Sequence, residues 1–364
     1  MHGQASSTVR RDRFGILTFH RCINYGSYWQ ARCLVEGLRS IGADAVLLDH
    51  ASVAIERAEL RCAFRPTLPM RTPRSDFPAY ARKTRTFRQA FAQLPLSPAF
   101  PLDQPETMED YDAVIVGSDE VWNLQHPWYG GCETFYGQGI AARLVAYAAS
   151  FGNQNAAWGL SDHWARRLRN FSALSVRDDN SRSIIKAALG HEPALVLDPC
   201  LQFPPPTRAR ASEDRPYVAV YGHGFPDWLA RYVRRWADGN NYRLLSIGYR
   251  NDWADEQRID AGPEEFAELI ARAQAVVTNF FHGCVFALLN RQPFVTAPSA
   301  YRFNKVRDLM ALLGTQERMV TEGTSDRDFS RLLDAPIDEC AEARIVARRT
   351  QSDRYIRQAL ALRS

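Results

Sequence analysis

At 364 residues, the chain is longer than one hydrophobic core usually serves, so two domains are expected. Its hydrophobic share of 46% and charged share of 24% are typical of a globular protein, and a net charge of +4 gives no reason to expect a nucleic-acid partner. Seven scattered cysteines without a CxxC pair indicate neither a zinc site nor a disulfide framework, which favours a reducing, cytoplasmic location.

The N-terminal segment MHGQASSTVRRDR lacks the apolar core of a secretory signal and is expected to be a disordered lead-in. No later run approaches the roughly eighteen consecutive apolar residues that a membrane helix needs. Short apolar runs then alternate with longer stretches of helical periodicity. Continuous apolar strands separated by helices indicate parallel sheets covered on both faces, so the predicted class is α/β.

The predicted strands fall into two groups along the chain. The first group is Gly15–Phe19, Ala45–Leu48, Ala113–Val116, Leu144–Ala148, Ala173–Val176 and Leu195–Leu197. The second group is Tyr217–Tyr221, Leu244–Ile247, Ala275–Val277 and Phe294–Thr296. The predicted helices between them are Tyr28–Ile41, Asp162–Phe171, Ser181–Leu189, Trp228–Ala237 and Pro263–Arg272.

Two stretches interrupt this alternation. Arg65–Pro105 is rich in proline and arginine and is predicted to be an insertion, with a helix only at Ala79–Gln93. Pro199–Pro216 has the proline and charge content of a linker. The predicted domains are therefore residues 1–203 and 204–340, and residues 341–364 are predicted to form a C-terminal helix that docks on one of them.

Polar motifs recur directly after predicted strands, where ligands bind in open α/β sheets. They comprise Asn24-Tyr25-Gly26, Gly117-Ser118-Asp119, Arg177 and the TNFFHG segment with His282 and Gly283. The Ser27-Tyr-Trp-Gln30 spacing is that of a capping box, which predicts a helix start there. Motifs from both domains indicate one shared cleft. Backbone N–H groups at the helix starts after Gly26 and Gly283 would favour an anion in it.

Each motif alone also has a structural explanation. A glycine after a strand is often only a turn, and Asp119 alone would be as well explained as a helix cap. An arginine at a strand end, such as Arg177, commonly forms a surface ion pair. His282 alone would be explained slightly better as a hydrogen-bonded histidine of the core than as a catalytic residue. The motifs become informative only as a set.

That set reads NYG, VGSDEVWN, AYAASFG, SVRD, LDPCL and TNFFHGCVFALLNRQPF, and in this order it resembles the polysaccharide pyruvyltransferase family. The resemblance spans residues 14–313 and implies a GT-B-like architecture, in which two Rossmann-type domains with parallel sheets face each other across a cleft. It also implies transfer of the pyruvyl group of phosphoenolpyruvate to a sugar or glycan precursor, usually as a ketal across two hydroxyls.

The resemblance further implies roles for individual residues. Arg177 is expected to clamp the donor carboxylate or phosphate, His282 to act as an acid or a phosphate-binding cation, and Asp119 to act as a base or hydroxyl ligand. The remaining expected donor-binding residues are Asn24, Gly26, Ser118 and Gly283, and the expected acceptor-binding residues are Trp122 and Asn123. Phosphoenolpyruvate is expected as a co-substrate, with no further cofactor and no metal.

One position departs from the family pattern. Two positions before the motif histidine, many members carry serine or arginine, whereas this chain carries Phe280. An arginine there would be a second anion ligand. Arg302, Lys305 or Arg307 of the following YRFNKVR segment would be needed to supply that charge.

Other functions and partners stay open at this point. A GT-B glycosyltransferase that uses a sugar nucleotide would need a late glutamate, and the candidates are Glu264, Glu265 and Glu268 in a helical segment. A member with an altered donor or a non-catalytic role is the third alternative. The basic insertion is expected either to attract a lipid-linked acceptor, with peripheral membrane contact, or to be a solvated helix. The sequence gives no indication of oligomeric state.

Overall fold

A computed structural model of the protein describes residues 12–67, 70–206 and 215–362. The predicted N-terminal lead-in, apart from its last two residues, and the central part of the predicted linker lie outside the described residues. The described chain forms two five-stranded parallel sheets, one on each side of the linker. The predicted α/β class with parallel sheets is confirmed.

The first sheet has the strand order β2-β1-β5-β6-β7, and two short strand pairs, β3-β4 and β8-β9, lie beside it. The strands are β1 (Arg13–Leu17), β2 (Asp44–Leu47), β3 (His50–Ala51), β4 (Phe100–Pro101), β5 (Ala113–Val116), β6 (Arg143–Ala146), β7 (Phe171–Ala173), β8 (Ser175–Val176) and β9 (Ala194–Leu195). The helices are α1 (Tyr25–Ser40), α2 (Val53–Phe64), α3 (Phe77–Phe91), α4 (Asp162–Leu168), α5 (Asp179–Leu189) and α6 (Pro199–Gln202).

The second sheet has the order β12-β11-β10-β13-β14. Its strands are β10 (Tyr217–Tyr221), β11 (Arg243–Ile247), β12 (Glu256–Arg258), β13 (Ala275–Thr278) and β14 (Phe294–Thr296). The helices are α7 (Asp227–Gly239), α8 (Pro263–Arg272), α9 (Phe281–Leu289), α10 (Phe303–Leu313), α11 (Asp326–Asp334) and α12 (Glu339–Leu360). Short 3-10 turns lie at Arg74–Asp76, Pro105–Thr107, Glu133–Tyr136, Ala156–Trp158, Ala300–Arg302 and Gln316–Arg318. Among the helices of the described chain, none has the length and apolar content to span a membrane.

The start of α1 differs from the prediction. The helix begins at Tyr25, because the side chain of Asn24 accepts hydrogen bonds from the N–H groups of Gly26 (2.8 Å) and Ser27 (3.2 Å) and so caps it. The capping box predicted at Ser27 is therefore wrong. The N–H groups predicted to bind an anion at this helix start are already used by Asn24.

The segment before the insertion and the start of the linker also contain more structure than predicted. Helix α2 occupies Val53–Phe64 and has no buried residue, so the sequence shows no apolar stripe from which this helix could be predicted. The predicted strand Ala173–Val176 is divided between β7 and β8, which belong to different sheets. The predicted linker opens with the short helix α6, whose N-cap is Asp198.

The C-terminal helix α12 follows the second sheet but packs on the first half of the chain. Ser352 Oγ accepts a hydrogen bond from the Leu197 N–H (2.9 Å), and the Tyr355 hydroxyl donates to the Ala146 carbonyl (2.8 Å). Helix α1 of the first half in turn contacts the second half, since the Tyr25 hydroxyl donates to the Ala261 carbonyl (2.7 Å). These contacts hold the carboxyl ends of the two sheets across a cleft.

Candidate active site

The segments that follow the strands of both sheets line one cavity of about 380 Å³. The first half contributes Asp119 after β5 and Arg177 after β8, while the second half contributes His223 after β10 and His282 after β13. Parallel strands place their carboxyl ends at one edge of a sheet, which is why residues so distant in sequence meet here. The structure thus brings His282, Asp119, Arg177 and Asn24 of the sequence-derived set to one cleft.

His282 lies in the first turn of α9, at the cleft. Its Nε2 atom is 3.5 Å from Asp198 Oδ2, which is within ion-pair distance but is not a hydrogen bond. The residue at the N-cap of α9 is Phe280, which has no capping side chain to offer the helix. Among the described residues no side chain caps this turn, so the N–H groups of Phe281 and His282, which line the cavity, remain able to bind an anion, whereas Gly283 does not line it.

Asp198 is a fully buried carboxylate that sequence reasoning did not select. Burial alone would raise its pKa, but the neighbouring His282 ring and Arg177 guanidinium hold the pKa of Asp198 well below its usual range. Its Oδ1 atom accepts a hydrogen bond from the Cys200 N–H (3.0 Å). The signal in the sequence was aspartate before proline, a common helix start, which by itself does not indicate a site.

Arg177 is buried, and its guanidinium is engaged by protein groups. It donates to Gln30 Oε1 (2.8 Å) and Asp198 Oδ2 (2.9 Å), and it lies 3.3 Å from Asp119 Oδ1. It also packs over the Phe281 ring at 4.8 Å. These contacts support a role in positioning the two carboxylates rather than a free clamp on the donor.

Asp119 faces the cleft in a left-handed backbone conformation, with a φ of 75°. Ser27 Oγ donates to its Oδ2 atom (2.7 Å), so the carboxylate is oriented from both sides. Non-glycine residues rarely adopt this φ, and such positions occur preferentially at functional sites. The neighbouring Ser118 is fully buried and donates to Gln30 Oε1 (2.9 Å), so its side chain does not reach the cleft.

Two predicted glycines make room for other groups. A Cβ atom on Gly26 would lie 2.1 Å from Nδ1 of His282, so this glycine allows the ring to rest against the start of α1. A Cβ atom on Gly283 would lie 2.1 Å from Thr278 Oγ1, so this one allows α9 to pack against the end of β13. For Gly26 the observed role is therefore to position the histidine, not to bind the donor through its N–H.

Trp122 and Asn123 do not line the cleft. Trp122 is fully buried and donates from Nε1 to the Phe135 carbonyl (2.9 Å), so the prediction that it binds the acceptor is wrong. Asn123 is also buried and donates to Glu120 Oε2 (2.8 Å). The two residues follow the GSD turn in sequence, but Trp122 packs in the core against Phe151 and Phe171.

Among the three cations predicted to replace an arginine at position 280, Arg302 is the one placed to bind an anion. It lies over the Phe280 ring at 4.2 Å and has no carboxylate partner among the described residues, and burial lowers its pKa. Lys305 is paired with Glu120, whose pKa falls to about 2 through this pairing although burial opposes it. Arg307 is paired with Asp308.

Asp198, Cys200 and His282 offer ligand atoms within 4.8 Å of one another, which is the one group of this kind in the described chain. Their chemistry does not favour a metal. Burial raises the pKa of the Cys200 thiol well above its usual value, and metals bind thiolates. The Arg177 guanidinium already supplies a positive charge to the same Asp198 oxygen. The trio is better described as part of an ion-pair network.

Comparisons with known proteins agree with this architecture. The structure is similar to that of MnaA from S. aureus with UDP (TM-score 0.51, 12% identity, covering 97% of this chain and 98% of that chain). It is also similar to UDP-GlcNAc 2-epimerase from Methanocaldococcus jannaschii (TM-score 0.50, 10% identity, 90% and 92% covered). At these identities the similarity shows the fold, and the predicted GT-B-like architecture is confirmed.

The sequence itself identifies the family. No curated protein matches the chain by sequence. The family model described as polysaccharide pyruvyl transferase matches residues 24–298, which is most of the chain and contains every predicted site residue. The chain therefore belongs to the polysaccharide pyruvyl transferase family and is a transferase.

Proposed function

We propose that the protein transfers the pyruvyl group of phosphoenolpyruvate to hydroxyls of a sugar or glycan precursor, with formation of a ketal. The observation that carries this proposal is the position of Arg302, a half-buried cation without an acidic partner among the described residues, in the cleft that holds His282. Arg302 and the free N–H groups of α9 suit the two anionic groups of the donor. His282 beside Asp198 supplies a group that can exchange a proton.

In the proposed reaction, His282 donates a proton to the methylene carbon of phosphoenolpyruvate, and the double-bond electron pair forms the new C–H bond. One acceptor hydroxyl attacks the resulting cationic carbon and gives its proton to Asp119. Inorganic phosphate leaves with the electrons of the C–O bond and carries away the proton from Asp119. A second hydroxyl attacks the same carbon, returns a proton to His282 and completes the ketal.

Among the described residues, no glutamate of the second half lines the cleft, as the sugar-nucleotide alternative would require. Glu264, Glu265 and Glu268 lie on α8, and none of them lines the cleft. Glu264 is instead paired with Arg32 on α1. The acidic residues that do line the cleft are Glu59, Asp119 and Glu120, all from the first half of the chain. This arrangement supports the pyruvyl donor over a retaining glycosyl transfer.

The test incubates the protein with phosphoenolpyruvate and a panel of sugar and glycan-precursor acceptors, and follows phosphate release together with acceptor mass. Acceptor-dependent gain of a pyruvyl ketal is the expected result. If the protein fails to bind phosphoenolpyruvate but binds a nucleotide sugar, the proposal is wrong.

The proposed reaction needs no cofactor besides the co-substrate phosphoenolpyruvate. All seven cysteines are free thiols, which supports a cytoplasmic location.

Arg302→Met is expected to weaken phosphoenolpyruvate binding by ten- to a hundredfold, because a charge-assisted hydrogen bond to an anion contributes about 1.5–3 kcal/mol. Isothermal titration of each variant with phosphoenolpyruvate measures the effect. Arg307→Met is the matched control, since Arg307 follows closely in sequence but is paired with Asp308 away from the cleft. Equal affinities of the two variants would remove Arg302 from the donor site.

Gly26→Ala is expected to lower kcat by roughly a hundredfold, because its methyl group occupies the place of the His282 ring and displaces the catalytic group. The measurement is the steady-state rate of phosphate release. Gly239→Ala is the control, since a Cβ atom there meets no neighbour within 4 Å. Unchanged kcat in Gly26→Ala would show that the ring position is not important for the reaction.

We also propose that α2 contacts an anionic membrane when the acceptor is lipid-linked. Its outer face carries Val53 and Leu60, which are 64% and 37% exposed, together with exposed Arg57 and Arg61 at helical spacing. The opposite face, with Glu59, lines the cleft. An acceptor anchored in the bilayer would thus be presented next to the site.

Flotation with phosphatidylglycerol and phosphatidylcholine vesicles tests this contact. Wild-type protein is expected to bind the anionic vesicles only, and Arg57→Gln with Arg61→Gln is expected to reduce binding about tenfold or more. Arg348→Gln with Arg354→Gln, on α12, serves as the charge-matched control. Equal loss in both double variants would mean that net charge rather than α2 determines the binding.

A further inference from the structure

Lysine is rare in this protein, and its placement is selective. The chain has 45 lysines and arginines, of which only Lys83, Lys186 and Lys305 are lysines. Lys186 is an exposed residue of α5 paired with Glu192, whereas Lys83 and Lys305 both line the cleft. Where arginine serves nearly every other cationic position, a buried lysine indicates a need for a compact ammonium group with a tunable proton.

Lys83 is held in the cleft by three parts of the fold. It projects from α3 of the insertion, is buried, and donates from Nζ to the Gly248 carbonyl after β11 (3.0 Å). Its Nζ lies 4.6 Å from the centre of the Tyr25 ring and 4.7 Å from that of Tyr249. An ammonium has three N–H donors, and among the described residues the carbonyl takes one and no carboxylate takes another.

The groups around Lys83 are cationic or neutral. His223 lies against the Tyr249 ring (5.2 Å between centroids), and Arg302 lies 3.4 Å from His223 Nε2. Arg302 rests on Phe280, whose ring centre is 5.2 Å from that of Tyr249, so the two cations stand on neighbouring rings. This end of the cleft contrasts with the other end, where Asp119 and Glu120 are found.

Lys83 is also the group of this cluster that titrates near neutrality. Burial lowers its pKa to about 7 and lowers that of His223 to about 4, while burial raises the pKa of Tyr25 and Tyr249, and partial desolvation raises the pKa of the nearby Cys62 thiol on α2. The histidine, the phenols and the thiol are therefore uncharged at pH 7. An anion bound here would favour the charged form of Lys83.

We propose that Lys83, with Tyr249 and His223, forms a phosphate subsite for the acceptor, which is therefore a phosphorylated or diphosphate-linked sugar. This inference rests on the proposed function. Phosphoenolpyruvate has two anionic groups, and Arg302 and the N–H groups of α9 suffice for them. A further cation without an acidic partner among the described residues calls for a third anionic group, which the acceptor must bring.

The test uses inorganic pyrophosphate as the probe and the full-length protein saturated with phosphoenolpyruvate. Calorimetric titration is expected to show pyrophosphate binding to wild type, at least tenfold weaker binding to Lys83→Met, and phosphoenolpyruvate affinity within twofold in both. Arg82→Met is the matched control, since Arg82 precedes Lys83 on α3 but is exposed and paired with Asp260. Titration with UDP in place of pyrophosphate distinguishes the possible sources of the phosphate in the acceptor. Tighter binding of UDP than of pyrophosphate indicates a nucleotide-linked acceptor, and equal binding indicates a lipid- or sugar-linked phosphate.

A second measurement is the NMR signal of lysine labelled with ¹³C at Cε. If Lys83 had only a structural role, pyrophosphate would not shift the titration midpoint of its signal. The three lysines yield three signals, and Lys83→Met assigns one of them. In the free protein this signal is expected to titrate near pH 7, and pyrophosphate should move its midpoint upward by about one pH unit for a tenfold difference in affinity. The contribution of Lys83 to binding is correspondingly complete below pH 7 and is lost as pH rises through the raised midpoint of the bound protein.

Three outcomes would overturn the subsite. They are competition between pyrophosphate and phosphoenolpyruvate for one site, an equal loss of both affinities in Lys83→Met, and an effect on kcat alone, which would make Lys83 a proton acceptor instead. Failure of the proposed function would give a different result from failure of the subsite. In that case wild type would bind no phosphoenolpyruvate, while pyrophosphate binding would still depend on Lys83.

Discussion

Replacing His282 by glutamine is expected to slow phosphate release from phosphoenolpyruvate by about 10²–10⁴-fold, the usual contribution of a general acid. Glutamine keeps a polar side chain beside Asp198 and the free N–H groups of α9, so donor affinity should change little. The loss should therefore appear in kcat. Steady-state phosphate release with a saturating acceptor, together with calorimetric donor binding, measures the two quantities separately.

The control for this variant is His191→Gln, which changes an exposed histidine outside the cleft. It should leave both quantities unchanged. A His282→Gln protein that retains more than a tenth of wild-type kcat would show that another group protonates the donor. A variant with normal kcat but weak donor binding would instead make His282 a phosphate ligand.

Arg177→Met is expected to lower the free energy of unfolding by about 3–5 kcal/mol, the typical cost of removing one partner of a buried ion pair. Its removal leaves the buried carboxylate of Asp198 and the nearby Asp119 without their guanidinium. Urea unfolding of both proteins measures the difference. The control Arg182→Met removes the ion pair between Arg182 on α5 and Glu192 beyond its end, whose side chains are both exposed, and should cost less than about 1 kcal/mol.

The pH dependence of this difference has a definite sign. In wild type, the lowered pKa of Asp198 contributes stability that is present above the unfolded-state value and is lost as pH falls through the folded-state pKa. Without Arg177, burial should raise the pKa of Asp198, so the variant takes up the proton more readily as pH falls. The difference in the free energy of unfolding between wild type and Arg177→Met should be greatest near pH 7 and should decrease toward pH 4. A constant difference would contradict the ion-pair explanation.

Much of the fold was predictable because local and tertiary preferences agree. The strands Ala113–Val116 and Tyr217–Tyr221 are continuous runs of buried apolar residues, so their bounds follow from composition alone. Helix α8 begins with proline and two glutamates, which suit a helix N-terminus. Helix α2 escaped prediction because it buries no residue and therefore has no apolar face to reveal it.

The cleft residues that could be predicted from the sequence are those that directly follow a strand. His282, Asp119 and Arg177 follow apolar strands directly, and the sheet edge brings them together. Asp198 and Lys83 were not selected as site residues, because their contacts join segments far apart in sequence. Trp122 was misplaced because only the tertiary path of the chain after the GSD turn directs it into the core.

The return of α12 to the first half means that the polypeptide passes between the two halves twice, once through the linker and once before residue 339. Two covalent crossings restrict the separation of the halves more than a single crossing would, because each one limits how far its own ends can move apart. Cutting the chain between α11 and α12 would remove one of these two restraints without altering any residue of the cleft.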